Sequence, residues 1–185
     1  MSKGVRRTRP LRKDLPAYIT RKIGQIITKY AYLDYKLKTL VWKLAGVDET
    51  VGRLAIRDPR AVDKLTLCRE LLFVRGVSIE DAKFRSVSRL LQKVESFRDL
   101  LAHGVWTEEE GTWWAIYFKG NLADQAIPPI ARKRALRPEA IKIERDDGLN
   151  SLLAAVDSLI ESIESLEHHA SLPKAVKSAS KNNTP

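Results

Sequence analysis

Between Ile19 and Leu44 the apolar residues Ile19, Ile23, Ile26, Ile27, Tyr30, Leu33, Leu37, Leu40, Val41 and Leu44 hold helical spacing. Roughly seven turns of one amphipathic helix follow from that period, at 3.6 residues per turn. A stripe this long is stable only when other elements cover it, which directs the chain toward a bundle. Three further segments supply the cover. Val62, Leu65, Leu67, Leu71 and Leu72 pattern one helix that stops near Gly76, and Phe84, Val87, Leu90, Leu91, Val94, Phe97 and Leu101 pattern the next. Leu149, Leu152, Leu153, Val156, Leu159, Ile160, Ile163 and Leu166 pattern a last helix ending near His169. The expectation is a mostly α fold, a bundle of four to five helices.

Local signals place the boundaries. Asp14 with Pro16 opens the first helix, Gly46 closes it, and Asp48 to Ile56 forms a short helical connector. Asp58-Pro59 reads as an N-cap with proline in the first turn, and Ser78 with Asp81 three residues on reads as a capping box. After Gly104 the period changes to alternation. Val105-Trp106-Thr107, a turn at Glu108 to Gly111, and Thr112 to Phe118 predict a hairpin, and Ile141 to Glu144 alternates like a third strand. A small antiparallel sheet is therefore inserted between the last two helices at about 105–144. The domain reading is a disordered basic tail at 1–13, one helical domain at 14–172, and a polar disordered tail at 173–185.

Thirty-three Lys and Arg against 23 Asp and Glu give a net charge of +10, which suits a polyanionic partner. The excess gathers in two patches: Lys3, Arg6, Arg7, Arg9, Arg12 and Lys13 near the start, and Arg132, Lys133, Arg134 and Arg137 in a Pro- and Arg-containing loop. Both suit phosphate-backbone contacts. No apolar run reaches the length of a membrane span and no secretory signal is readable, so a cytoplasmic protein without a membrane is expected. The single cysteine, Cys68, lies among leucines and reads as a core residue. His168 and His169 fall in a last helical turn, where imidazolium suits the helix dipole; no metal site and no cofactor are expected.

The segment Arg98-Asp99-Leu100-Leu101-Ala102-His103-Gly104-Val105-Trp106 carries the chemistry. A permanently charged guanidinium neutralises phosphate oxygens, and an imidazole exchanges protons near neutral pH. The bare Arg-to-His spacing would arise by chance on the order of 0.3 times in such a chain, so context supplies the weight. On an ideal helix Arg98 falls about 40° from the centre of the Val87, Leu91, Val94 and Leu101 stripe. A charge there must meet a carboxylate, line a cleft or face a second subunit. His103 falls about 140° further round, so the two share a site only if the helix ends before His103 or two subunits contribute.

A bundle in which a helix ends in Arg98, the polar Asp99, three more residues and His103 resembles the HEPN superfamily, the higher eukaryotes and prokaryotes nucleotide-binding domain. The likeness covers roughly 15–104 and 148–169, with Asp99 at a position where Asn is common. It implies a HEPN-like bundle and a metal-independent endoribonuclease working as a homodimer, in a toxin-antitoxin or phage-defence context with a possible antitoxin partner. By position, His103 exchanges the proton of a ribose 2′-hydroxyl or of the leaving 5′-oxygen. Arg98 stabilises the phosphorane, and Asp99 orients one of them. Arg6, Arg7, Arg9, Arg132, Lys133 and Arg134 would hold the RNA backbone.

Two other readings compete. One is a non-catalytic helical adaptor that binds nucleic acid or a protein, with Arg98 paired internally. The other is DNA-sequence recognition, which the absence of helix-turn-helix spacing disfavours.

Overall fold

The computed structural model describes residues 11–12, 14–56, 58–109, 112–118, 138–143 and 147–171. Five helices and a small sheet follow in the order β1 (Leu11–Arg12), α1 (Ala17–Ala45), α2 (Glu49–Ala55), α3 (Ala61–Val74), α4 (Asp81–His103), β2 (Val105–Glu109), β3 (Thr112–Phe118), β4 (Pro138–Ile143) and α5 (Asp147–Ser171). The mostly α bundle with an antiparallel sheet between its last two helices is as the sequence predicts.

The apolar stripe of α1 becomes the centre of the core. Ile19, Ile26, Leu33 and Leu37 are fully buried, and they pack in one cluster with Leu65, Cys68 and Leu72 of α3, Leu91, Val94 and Leu101 of α4, and Val156, Leu159 and Ile163 of α5. Polar pairs fix the helix directions. Lys22 bonds Asn150, Lys29 reaches Asp157 at 2.5 Å and Lys36 reaches Glu167 at 3.0 Å, so α1 and α5 run parallel. The lysines Lys22, Lys29, Lys36 and Lys43 repeat every seventh residue, the period that keeps one side of a helix against a parallel neighbour. Lys64 bonds Asp34, and Arg75 Nη2 donates to the Lys43 carbonyl at 3.1 Å, so α3 also runs parallel to α1. Arg60 with Glu95 and Arg69 with Asp81 make α4 antiparallel to α3.

Helix ends show where local signals yield to tertiary ones. Gly46 caps α1 at φ +73°, as its position predicts, and Asp48 accepts a bond from the Val51 N–H at 2.8 Å to start α2. The expected Asp58 cap is not used. Helix α3 begins at Ala61 after Arg60 with no side-chain cap, because the Asp58 carboxylate is 2.7 Å from the Lys64 ammonium instead. Helix α4 begins at Asp81 rather than Ser78; Glu80 precedes it without a side-chain cap bond, and Asp81 pairs with Arg69.

The sheet is an antiparallel meander in the order β1-β2-β3-β4. Glu109 pairs with Thr112 across the hairpin, and Trp113 with Ile143 at the start of the β3–β4 ladder. Strand β1 corrects the reading of 1–13 as a disordered tail: Leu11 pairs with Thr107 and Arg12 with Trp106, and the Arg12 side chain reaches Glu108 at 3.0 Å. The rest of that tail, the 120–138 loop as far as Arg137, and 173–185 lie outside the described residues.

Candidate functional site

Helix α4 continues through His103 and stops at Gly104, whose N–H donates to the Leu100 carbonyl at 2.8 Å. A Cβ at 104 would stand 2.4 Å from that oxygen and 3.3 Å from the Ile116 carbonyl of β3. Only glycine lets the chain leave the helix and enter β2 within one residue, which fixes His103 at the junction of bundle and sheet. The alternative in which the helix ends before His103 is thereby overturned. His103 is exposed and lies about 140° round the helix from Arg98.

Arg98 sits where α1, α3 and α4 meet. Its guanidinium carbon is 4.7 Å from the centre of the Tyr30 ring, Nη1 is 2.9 Å from Asp99 Oδ1, and Nε is buried with no hydrogen-bond partner among the described residues. The internal partner of the arginine is thus an aromatic face and a carboxylate that is itself 41% exposed. Tyr30 is 5% exposed; burial, aided by the charge of Glu95, pushes its phenol well above the ordinary value of 10.0, while the nearby guanidinium opposes that shift. The phenol is therefore protonated at physiological pH.

Around Arg98 opens a cleft of about 440 Å³ lined by Tyr30, Asp34, Asp58, Arg60, Lys64 and Glu95, among others. Glu95 is 5% exposed and accepts from Arg60 Nη2 at 2.6 Å; the carboxylate holds the Arg60 guanidinium above its ordinary value. Lys64, 3% exposed, donates to both oxygens of Asp34 at 2.8 Å and meets Asp58 at 2.7 Å. That ammonium holds the Asp58 carboxyl below its ordinary range. The wall is thus densely charged yet internally matched.

Of the residues singled out in the sequence, Arg98 and Asp99 are brought together and His103 is turned away from them on the same helix. Arg6, Arg7, Arg9, Arg132, Lys133 and Arg134 lie outside the described residues. Tyr30, Arg60, Lys64 and Glu95 were not singled out. Their signal was the pairing of facets: Glu95 and Arg98 are three apart on α4, Arg60 and Lys64 four apart at the start of α3, so each pair shares one helix side.

Elsewhere the chemistry is quiet. Burial pushes the Cys68 thiol up to about 12, and its sulfur lies 4.0 Å from the Leu37 carbonyl, as befits a packed core residue. Trp106 is buried and Trp113 packs against the core, in line with a structural hairpin. Among the described residues no three His, Cys, Asp or Glu side chains gather as a metal site, and no helix is long and apolar enough to cross a membrane. Neither a family model nor a curated protein nor a solved structure matches the chain.

Proposed function

We propose that the chain is a HEPN-type, metal-independent endoribonuclease that acts as a homodimer, with RNA as substrate and a cytoplasmic toxin-antitoxin or phage-defence setting. The observation that carries this reading is the state of Arg98. It lies in the apolar stripe of α4, yet among the described residues its carboxylate partner is Asp99, which is 41% exposed, and no buried one pairs with it. Instead it rests on Tyr30 and edges an open cleft, where a phosphate can take the guanidinium donors. In this mechanism the ribose 2′-oxygen attacks phosphorus while imidazole takes its proton. The bond from phosphorus to the 5′-oxygen breaks, and that oxygen receives the proton back from the imidazolium, giving a 2′,3′-cyclic phosphate and a 5′-hydroxyl. Arg98 stabilises the charge on the phosphorane, and Asp99 keeps the guanidinium edge toward the cleft.

The 140° separation of Arg98 and His103 requires the imidazole to come from a second copy, which is why the reading includes a homodimer. The same separation favours the second reading, a helical adaptor binding nucleic acid or a protein such as an antitoxin, in which Arg98 is structural. Two variants separate them. If the protein is the ribonuclease, His103→Ala abolishes RNA cleavage with the fold retained, and Arg98→Ala abolishes it while losing about 1–2 kcal/mol of stability from the Tyr30 contact. Wild-type protein that leaves RNA intact across salt and pH, or a His103→Ala variant that cuts equally well, sinks the catalytic reading.

A further inference from the structure

We propose that the outward face of α4 is a track for the phosphodiester backbone of single-stranded RNA, built from Arg85, Arg89 and Lys93 and leading to His103. It rests on the ribonuclease reading in taking RNA as the polyanion and His103 as the destination. All three cations are exposed and border one shallow groove with Ser86 and Leu90. They recur every four residues, so successive charges step about 6 Å along the helix, and they fall within about 80° of one another and of His103. Arg85 and His103 are separated by about 27 Å of helix.

What distinguishes this row is that three successive cations on one helix side have no carboxylate partner among the described residues. The three carboxylates of α4 are all engaged elsewhere: Asp81 with Arg69, Glu95 with Arg60, Asp99 with Arg98. No salt bridge among the described residues engages Arg85, Arg89 or Lys93, and Lys93 has only the Phe97 ring, 5.9 Å away. Lys29, Lys36, Arg60 and Lys64 of the bundle are paired, while Arg21 and Lys83, which also have no salt bridge among the described residues, stand singly rather than in a row. An evenly spaced, unmatched row suits a ligand whose charge repeats along a line, which a nucleic-acid strand provides. A lipid surface fits less well: α4 contributes none of the exposed large hydrophobic side chains that an interfacial helix inserts beside its cations.

The test is binding of a labelled, unstructured 2′-O-methyl RNA, which has no free 2′-hydroxyl and stays uncut, followed by anisotropy across a salt series. For the triple variant Arg85→Gln, Arg89→Gln, Lys93→Gln, the slope of log affinity against log salt becomes shallower by about 2, since each phosphate contact contributes about 0.7 on a single strand. Affinity at moderate salt falls roughly tenfold or more, and cleavage of ordinary RNA shows a raised KM. Arg21→Gln, which removes a cation from α1, changes the slope by less than about 0.7. All variants alter exposed side chains, and their melting curves confirm equal folding. A triple variant with the wild-type slope overturns the track while leaving the ribonuclease reading intact. Wild-type protein that binds this RNA through the three cations but cuts no RNA overturns the ribonuclease reading and leaves the track standing. No RNA binding, or loss in the triple variant only of binding to phosphatidylserine vesicles, overturns the track.

Discussion

Helix α1 meets charged partners on two sides, and the two sides are built differently. Toward α5 it presents lysines every seventh residue, and the Lys29–Asp157 pair is 42% and 46% exposed. Toward α3 and α4 it presents Asp34 and Tyr30 to a cleft where Lys64 and Glu95 are almost wholly buried. Water screens Lys29–Asp157 strongly and Lys36–Glu167, at 23% and 35% exposure, in part, so those pairs select register and direction while adding little stability. In the second set Lys64 and Glu95 have lost their hydration and rely on partners that water still reaches, Asp58 and Arg60 being 63% and 67% exposed, so removing those partners strands a buried ion. The ladder is therefore tolerant and the cleft is brittle, and the brittle side is the one that holds Arg98.

The largest expected effect comes from breaking the cleft. Lys64→Ala empties a buried site and takes from Asp34 and Asp58, which are 30% and 63% exposed, their shared cation, and should cost about 2–3 kcal/mol in chemical denaturation. A loss below about 1 kcal/mol would show that Asp34 and Asp58 simply rehydrate, and that the two sides of α1 do not differ in the way described.

These two sides also differ in how far the sequence announces them. The stripe from Ile19 to Leu44 and the alternation after Gly104 are local periods, and both survive folding because burial rewards the same spacing that the pattern encodes. The lysine ladder is a period as well, readable as spacing, although its partners on α5 are more than a hundred residues away in sequence. The cleft is marked locally only by the spacing of Glu95 with Arg98 and of Arg60 with Lys64, which puts each pair on one helix side without saying that the two sides face each other. Asp58 before Pro59 has every feature of a helix cap, yet a buried ammonium outcompetes the backbone amides for its carboxylate, and α3 starts later for that reason. Leu11–Arg12 is too short to show alternation, and its strand exists only because β2 offers an open edge. Arg98 was legible as a charge needing a partner. That the partner would be Tyr30 was not, since Tyr30 reads as one more member of an apolar stripe.

Acid and alkali probe the comparison at an intermediate scale. Hydrogen bonding to Lys64 lowers Asp58, and hydrogen bonding to Lys36 lowers Glu167, from ordinary values of 3.8 and 4.5. A carboxyl lowered in the folded state stabilises it fully above the ordinary value, and that contribution is lost as pH falls through the folded value. The melting temperature should accordingly fall as pH drops below about 4.5, with Glu167→Gln flattening the upper part of this decline. Lys36 is raised from 10.5 by the same Glu167, so its contribution is present below that value and disappears as pH rises beyond it. Glu167→Gln should therefore blunt the alkaline loss too. A variant that alters neither limb would mean that Lys36 and Glu167 are no better paired folded than unfolded.

The smallest effect should come from the ladder itself. Lys29→Ala removes a pair whose two members are both more than two-fifths exposed, and the Asp157 left behind is hydrated by solvent. A loss of about 0.2–1 kcal/mol is expected, shrinking further as salt is raised toward 1 M, because only the screened Coulomb contribution is removed. The same substitution in the Lys64→Ala background should add to it almost without coupling, since Asp157 and Asp34 share no partner. A double-mutant cycle reads that directly. Strong coupling between the two would mean that α1 transmits strain from its α5 seam to the cleft, making the ladder part of what holds Arg98 over Tyr30.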